Sequence, residues 1–370
     1  MAAGPGRGGG ERGYRLDSED LEVGAVLRSP RQLIIELAGT DILAPMLRAV
    51  GRGLVTIFTL HRFTDPEHGV IGLDPVALAN QLAYLRRYRY RLLGLSEVVE
   101  RITGRNGHST SPAVVFTVDD GYGDFVRIGA PVFAEYDCPV TVFIPTGFLD
   151  GRLWLWWDRV TYLFANARRT SFFAPELGDR PYQWSTPEEL ARVQQYVLDA
   201  LERVPAPQRE AAIAALSGQL EVELPETPPA AYAPMSWDEV RKMARRGVTF
   251  GPHTVTHPIL PLTPPDICKW EIEESYRRLR LETSSTVPVF CYPAGQARQR
   301  ELQAVQAAGF SAAVTTIPGY AAPHGIRDWG ALRRFALPRF PTTEDRPHLV
   351  NVVAGLARLR PRIRRPRPRK

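Results

Sequence analysis

Cysteine is scarce. The three thiols among 370 residues, Cys138, Cys268 and Cys291, are too few and too scattered for a disulfide framework, and their odd number leaves at least one free within the chain. A small disulfide-stapled scaffold is thereby excluded, and a reducing compartment is the simpler expectation. No uncharged apolar run reaches the length that spans a bilayer. The opening "MAAGPGRGGGERGYRLDSED" is rich in glycine and charge and has no apolar core of a secretion signal, so residues 1–30 read as a disordered leader. These absences lead to a cytoplasmic expectation, with membrane association held open. Most of the chain also has no surplus of charge. There are 46 basic and 40 acidic residues, but the tail 358–370, "RLRPRIRRPRPRK", carries eight basic residues and no acidic one, which leaves 38 against 40 elsewhere. A nucleic-acid partner would rest on that tail alone and is not expected. Nothing in the sequence sets an oligomeric state.

What is present is a repeated alternation. Short β-branched or apolar runs at 54–61, 90–95, 113–118, 139–145, 247–253, 287–293, 311–316 and 335–340 are separated by segments with helical spacing. Strand followed by helix implies parallel strands joined by crossovers, and seven or eight of them predict a distorted parallel α/β barrel over residues 54–345. Chemistry is then expected at the carboxyl ends of the strands. The run 153–234 breaks the alternation with two helical patterns and reads as a helical insertion. Its Trp154, Trp156 and Trp157 have two readings, packing anchors for the insertion or platforms for a sugar ring. The segment "RQLIIELAGTDILAPMLRAVGRG" (31–53) has apolar clusters at partly helical spacing. Together with the C-terminal segment 346–370 and its basic tail it gives two readings: peripheral contact with an anionic membrane, or a helix capping the barrel beside a soluble arm.

The stretch "VVFTVDDGYGDF" (114–125) sets Asp119 and Asp120 side by side at the end of an apolar strand. Two carboxylates so close cannot both ionise freely unless a cation or strong donors compensate. A lone Asp-Asp-Gly could be a solvated turn with a capping aspartate. The second cluster, "GVTFGPHTVTHPIL", argues otherwise, because His253 and His257 stand four apart at the end of another predicted strand. Pro252 and Pro258 bracket the pair, so it belongs on a loop or single turn and not on a metalloprotease helix. Two histidines and one carboxylate leave coordination positions open, the catalytic pattern for zinc. Only one aspartate need ligate, and the other is free to act as a base.

These two clusters resemble the polysaccharide deacetylase family of carbohydrate esterases. Its Thr-Phe-Asp-Asp-Gly signature is matched by "TVDDG" (117–121) and its His-Ser/Thr-x-x-His by "HTVTH" (253–257), and the likeness runs from about residue 54 to 341. The resemblance implies Asp119 as general base; Asp120, His253 and His257 as ligands of one divalent metal ion, with zinc expected; and an acetylated sugar or glycan as substrate. "FCYPAG" (290–295) is similar to a Tyr-Pro-x-Gly branch, which implies the Ala294 N–H in the oxyanion hole. Tyr292, Pro293, Trp156, Trp157 and Arg339 are the substrate-binding candidates.

Two departures stand out. Cys291 occupies the place of the arginine that orients the base, for which Arg339 in "LPRF" is the substitute candidate against an ordinary surface residue. The late Leu-x-His of the general acid has no match, and His61, ending the first strand, is preferred to His348. The expected reaction is metal-dependent hydrolytic deacetylation. Its rivals are a non-catalytic carbohydrate-binding domain that keeps the fold and an iron oxygenase with two histidines and one carboxylate, the latter leaving the acidic pair unexplained.

Overall fold

The computed structural model describes residues 43–102, 111–151, 153–175, 181–321, 332–342 and 344–359. The expected leader, residues 31–42 of the first helical segment, and the tail from 360 lie outside the described residues. The described part of that segment contains a helix, Ala44–Val50, with Ala44 and Leu47 buried and Met46 and Val50 exposed.

The apolar runs form strands because every side chain in them finds a buried neighbour. They are β1 (Val55–Leu60), β2 (Arg91–Leu92), β3 (Ala113–Val118) and β4 (Val140–Ile144), then after a small hairpin of β5 (Ser171–Phe172) and β6 (Tyr182–Gln183), β7 (Thr249–Pro252), β8 (Val289–Cys291), β9 (Ala312–Val314) and β10 (Phe340–Pro341). β1, β3 and β4 are buried along their whole length, as parallel strands covered on both faces should be. The main sheet runs β10-β1-β3-β4-β7, with all pairings parallel. The run at 90–95 pairs only over two residues, because β2 takes the lower part of one edge of β3 and β4 takes the upper part.

β8 and β9 pair in parallel beside this sheet. Single parallel bridges, Phe250 to Thr286 and Val314 to Leu337, join them to β7 on one side and to the approach of β10 on the other. The strands therefore follow one another round a distorted ring in which two seams are single bridges.

Alternation along the strands sorts side chains between two cores. Ile57, Val115, Phe143, Val289, Val314 and Leu337 fill the ring, whereas Phe58, Phe116, Val142 and Phe250 meet the surrounding helices. Phe58 and Phe116, partners in register, stack with centroids 5.5 Å apart. By the same alternation Ala113, Val115, Thr117 and Asp119 share the inward face.

The insertion builds a core of its own. Helices Trp156–Ala165, Pro187–Leu201 and Ala206–Leu220 enclose Val160, Leu163, Phe164, Val197, Ile213 and Leu216, with Phe172 of the hairpin packed among them. That antiparallel hairpin is not anticipated from sequence, its strands being only two residues long. The chain re-enters the barrel through a capping box, Ser236 with Glu239, at the start of helix Trp237–Ala244, which leads into β7.

Candidate metal centre

Asp119 and Asp120 follow β3, and the turn that separates them is left-handed: Asp120 has φ 72° and Gly121 φ 74°. A left-handed non-glycine residue is uncommon and strained, and at a site it commonly serves to aim a side chain. Asp119 continues inward into the ring, and Asp120 is turned toward the loop after β7. There His253 and His257 lie on irregular backbone, as the flanking prolines predict. Thr254 (φ 70°) and His257 (φ 54°) are again left-handed, and the His257 N–H donates to Thr254 Oγ1 at 3.0 Å. Glu271, buried on helix Pro265–Glu282, clamps the loop between the histidines by accepting from the Val255 and Thr256 N–H groups at 2.7 and 3.0 Å. Its spacing from the motif gives no sequence signal, and sequence reading missed it.

The three ligand candidates meet. His253 Nε2 and His257 Nε2 are 3.1 Å apart, and each is 3.6 Å from Asp120 Oδ1. A tetrahedral ion with bonds of about 2.0–2.2 Å separates its ligand atoms by about 3.3–3.6 Å, so this triangle has the size such an ion requires. His253 Nδ1 lies 2.8 Å from the Cys291 carbonyl, which fixes the proton on Nδ1 and leaves the Nε2 lone pair toward the triangle. Burial pulls the His253 pKa down to about 4, against the opposing charge of Asp119. Burial, with His253 beside it, also drives His257 well below its ordinary value. Both rings are thus neutral at pH 7, the form that ligates. Burial and then Asp119 raise Asp120 well above the usual carboxylate range, the frustration a cation relieves.

A second group, Asp119, His253 and Cys291, is also compact enough to hold an ion. Its chemistry is poorer. Burial keeps the Cys291 thiol protonated, and Asp119 is already committed. Arg339 Nη1 and Nη2 donate to Asp119 Oδ1 and Oδ2, each at 2.7 Å. Burial alone would raise the Asp119 pKa, but the Arg339 charge and hydrogen bonds overcome it and hold the carboxyl well below its usual range. Thr59 Oγ1 at 3.3 Å and the Cys291 thiol at 3.5 Å also face Asp119 Oδ2. Arg339 in turn donates to the Thr315 carbonyl at 2.9 Å and to Thr117 Oγ1 at 3.0 Å.

These placements correct part of the sequence reading. Arg339 is 0% exposed, so it is neither a surface residue nor a substrate contact. Tyr292 and Pro293 are likewise buried and do not line the cavity. Ala294 and Gly295 reach the cavity in their stead. Ala294 is left-handed at φ 52°, and Gly295, at φ 66°, has no room for a side chain because a Cβ would stand 2.1 Å from Thr316 Oγ1.

The cavity holds about 420 Å³ and is walled by His61, Asp119, Asp120, His253 and His257 on the barrel side. Trp156 and Trp157 wall it on the insertion side. Trp157 also packs edge-on against His257, with centroids 4.6 Å apart. Trp154 packs against Tyr162 and Tyr232 and does not line the cavity. His61 Nε2 is 3.9 Å from Asp119 Oδ2. Desolvation lowers its pKa, Asp119 opposes and Arg339 adds to the fall, but half of the side chain is exposed, and that solvent access weakens the desolvation. His348 sits on helix Arg346–Val353, away from the cavity lining.

A family model described as polysaccharide deacetylase matches residues 106–313. No curated protein sequence matches the chain. Among solved structures, the deacetylase PplD of Streptococcus pyogenes in complex with acetate is similar at 17% identity and a TM-score of 0.53, over 81% of this chain and 98% of that one. IcaB from Ammonifex degensii is similar at 17% identity and a TM-score of 0.54, over 82% and 97% of the two chains. At such identities the likeness is one of fold. The matched span contains Asp119, Asp120, His253, His257 and Ala294, and excludes His61 and Arg339.

Proposed function

From the premise that the chain belongs to the polysaccharide deacetylase family, we propose that it hydrolyses the acetamide of an N-acetylated sugar or glycan with the help of one divalent metal ion, zinc by its ligand set. The observation that carries this reading is the triangle of Asp120 Oδ1, His253 Nε2 and His257 Nε2 directly beside a carboxylate that is held ionised. Bound there, the ion would lower the pKa of water and offset the charge that develops on the acetyl oxygen.

The chain's own groups do the rest. Asp119 accepts the proton of the attacking water. With both oxygens fixed by Arg339 it is ionised throughout the neutral range, and it is oriented before the substrate arrives. The Ala294 N–H, carried on a left-handed turn at the cavity wall, is available to the same acetyl oxygen. His61 in its protonated form gives a proton to the leaving amine, a role supported by its cavity position and its 3.9 Å approach to Asp119. The walls of Trp156 and Trp157 limit water around the sugar.

A non-catalytic sugar-binding protein would gain nothing from a bidentate Arg339–Asp119 pair or from a histidine beside it. Arg339 just before β10 and His61 just after β1 support the reading that both positions left vacant by the motif departures are filled from elsewhere in the chain. The test is acetate release from N-acetylglucosamine oligomers by protein stripped of metal and reloaded with zinc, read by mass spectrometry as loss of acetyl groups. No release from either the stripped or the reloaded protein would sink the reading.

A further inference from the structure

The first helix of the insertion brings to the cavity a carboxylate that the deacetylation chemistry leaves unused. Asp158, on Trp156–Ala165, is 5% exposed and lines the same cavity as Asp120 and His257. Its Oδ2 accepts a hydrogen bond of 2.7 Å from the Tyr122 hydroxyl, whose oxygen accepts one of 3.0 Å from Trp157 Nε1. Asp158 Oδ1 has no donor among the described residues. The nearest cation does not supply one, because Arg62, lying over the Tyr122 ring, spends its guanidinium on Asp124 Oδ1 and the Ala231 carbonyl. Oδ1 is open to the cavity, where water can donate to it, so a ligand that displaces that water loses affinity unless it donates to the same oxygen.

The relay also fixes where that oxygen stands. Tyr122 follows Asp120 by two residues, so the hydroxyl that holds Asp158 belongs to the same turn that aims a metal ligand. Trp156 and Trp157 flank Asp158 on the same wall, and an indole beside a carboxylate suits a sugar, whose C–H groups pack on rings and whose hydroxyls donate. An anionic ligand fits poorly on this side. Asp199 and Glu202 stand on the insertion wall with Asp158, and Arg62, the lone arginine or lysine of the lining among the described residues, is already paired.

We propose that Asp158 is the hydroxyl acceptor of a sugar subsite: its Oδ1 takes a hydrogen bond from one ring hydroxyl of the uncharged pyranose that bears the acetamide. The proposal rests on the deacetylase reading for where that sugar sits, and its test reads binding alone.

Zinc-loaded Asp119→Asn protein, which holds substrate without turnover, is titrated calorimetrically with methyl N-acetylglucosaminide and with the analogues that lack each ring hydroxyl in turn. One analogue should bind about tenfold more weakly than the parent sugar, the worth of one hydrogen bond. Adding Asp158→Leu, of similar shape with no acceptor, should weaken the parent sugar about tenfold and abolish the penalty for that analogue. Asp158→Asn, which keeps a neutral acceptor, should fall between them and serves where the leucine variant does not fold. Variants that hold zinc and keep the full discrimination between analogues overturn the subsite. Acetate release by the native chain is measured separately. Release with unchanged discrimination, or with no binding of any of these sugars to the Asp119→Asn protein, removes the subsite and leaves the deacetylase reading standing, whereas absence of release removes both.

Discussion

The two neighbouring aspartates face environments built in different ways. On the Asp120 side everything is local: the ligands come from two short motifs, the loop between the histidines is tied by its own residues and by Glu271, and all of it lies inside the span that matches the family. On the Asp119 side nothing is local. Thr59, His61, Cys291 and Arg339 converge from β1, β8 and the approach to β10, and Arg339 stands 220 residues from the carboxylate it holds. A metal triangle needs particular atoms at particular spacings, so short patterns within a segment can carry it. A base needs only a cation in the right place, and any strand that ends at the same rim can supply it.

The strongest break in that comparison is on the ligand side. His253→Ala or His257→Ala should remove the ion and lower turnover by more than about 100-fold, since even partners outside the ligand set cost about 10- to 100-fold. Metal analysis of the purified variants checks it, and full occupancy in both would refute the triangle. Next comes the base. Asp119→Asn should keep the ion and lose about 100-fold or more in turnover, so that metal content and activity separate on one side of the pair and not on the other. His61→Ala should retain the ion, lose about 10- to 100-fold, and lose the alkaline limb of the pH–rate profile, which reports deprotonation of the acid. His348→Ala should change neither.

Among the variants expected to lose turnover, Arg339→Met should lose least, about tenfold, but with the largest effect on stability, because it strands a buried carboxylate at a cost of about 3–5 kcal/mol. Without Arg339, burial would push Asp119 up, so the acid limb of the pH–rate profile should move to higher pH. The sign for stability follows from the same shift. A carboxyl whose folded pKa lies below its unfolded value stabilises the protein above about pH 4, and that contribution fades as pH falls further. The gap in melting temperature between native and Arg339→Met protein should therefore narrow as the pH falls, first through the raised pKa of Asp119 in the variant and then below about pH 4, and a constant gap would count against the pair.

The strands that carry the site were legible because their burial is two-sided and their runs are continuous. The convergence of Asp119, Asp120, His253 and His257 was legible because spacing and residue type coincide. Arg339 was visible only as a candidate, since nothing local distinguishes a buried arginine from a surface one, and Tyr292 and Pro293 were misassigned because a motif says which residues recur and not which of them face the ligand. Glu271, Tyr122 and Asp158 could not be found at all. Each acts through a partner on another element, and only the fold brings the pairs together.

The pairing of Asp119 with Arg339 also sets an order in time. Asp119 tops the inward column of β3, and its counter-charge arrives with the last strand of the ring, joined to its neighbours by a single bridge on one side and a two-residue ladder on the other. Contacts this distant in the chain form late, after the entropy of closing the intervening loops has been met. A nascent chain that has not yet emitted Arg339 holds Asp120, His253 and His257 but an unneutralised Asp119, so closing the ring and supplying that carboxylate with its counter-charge are the same folding event.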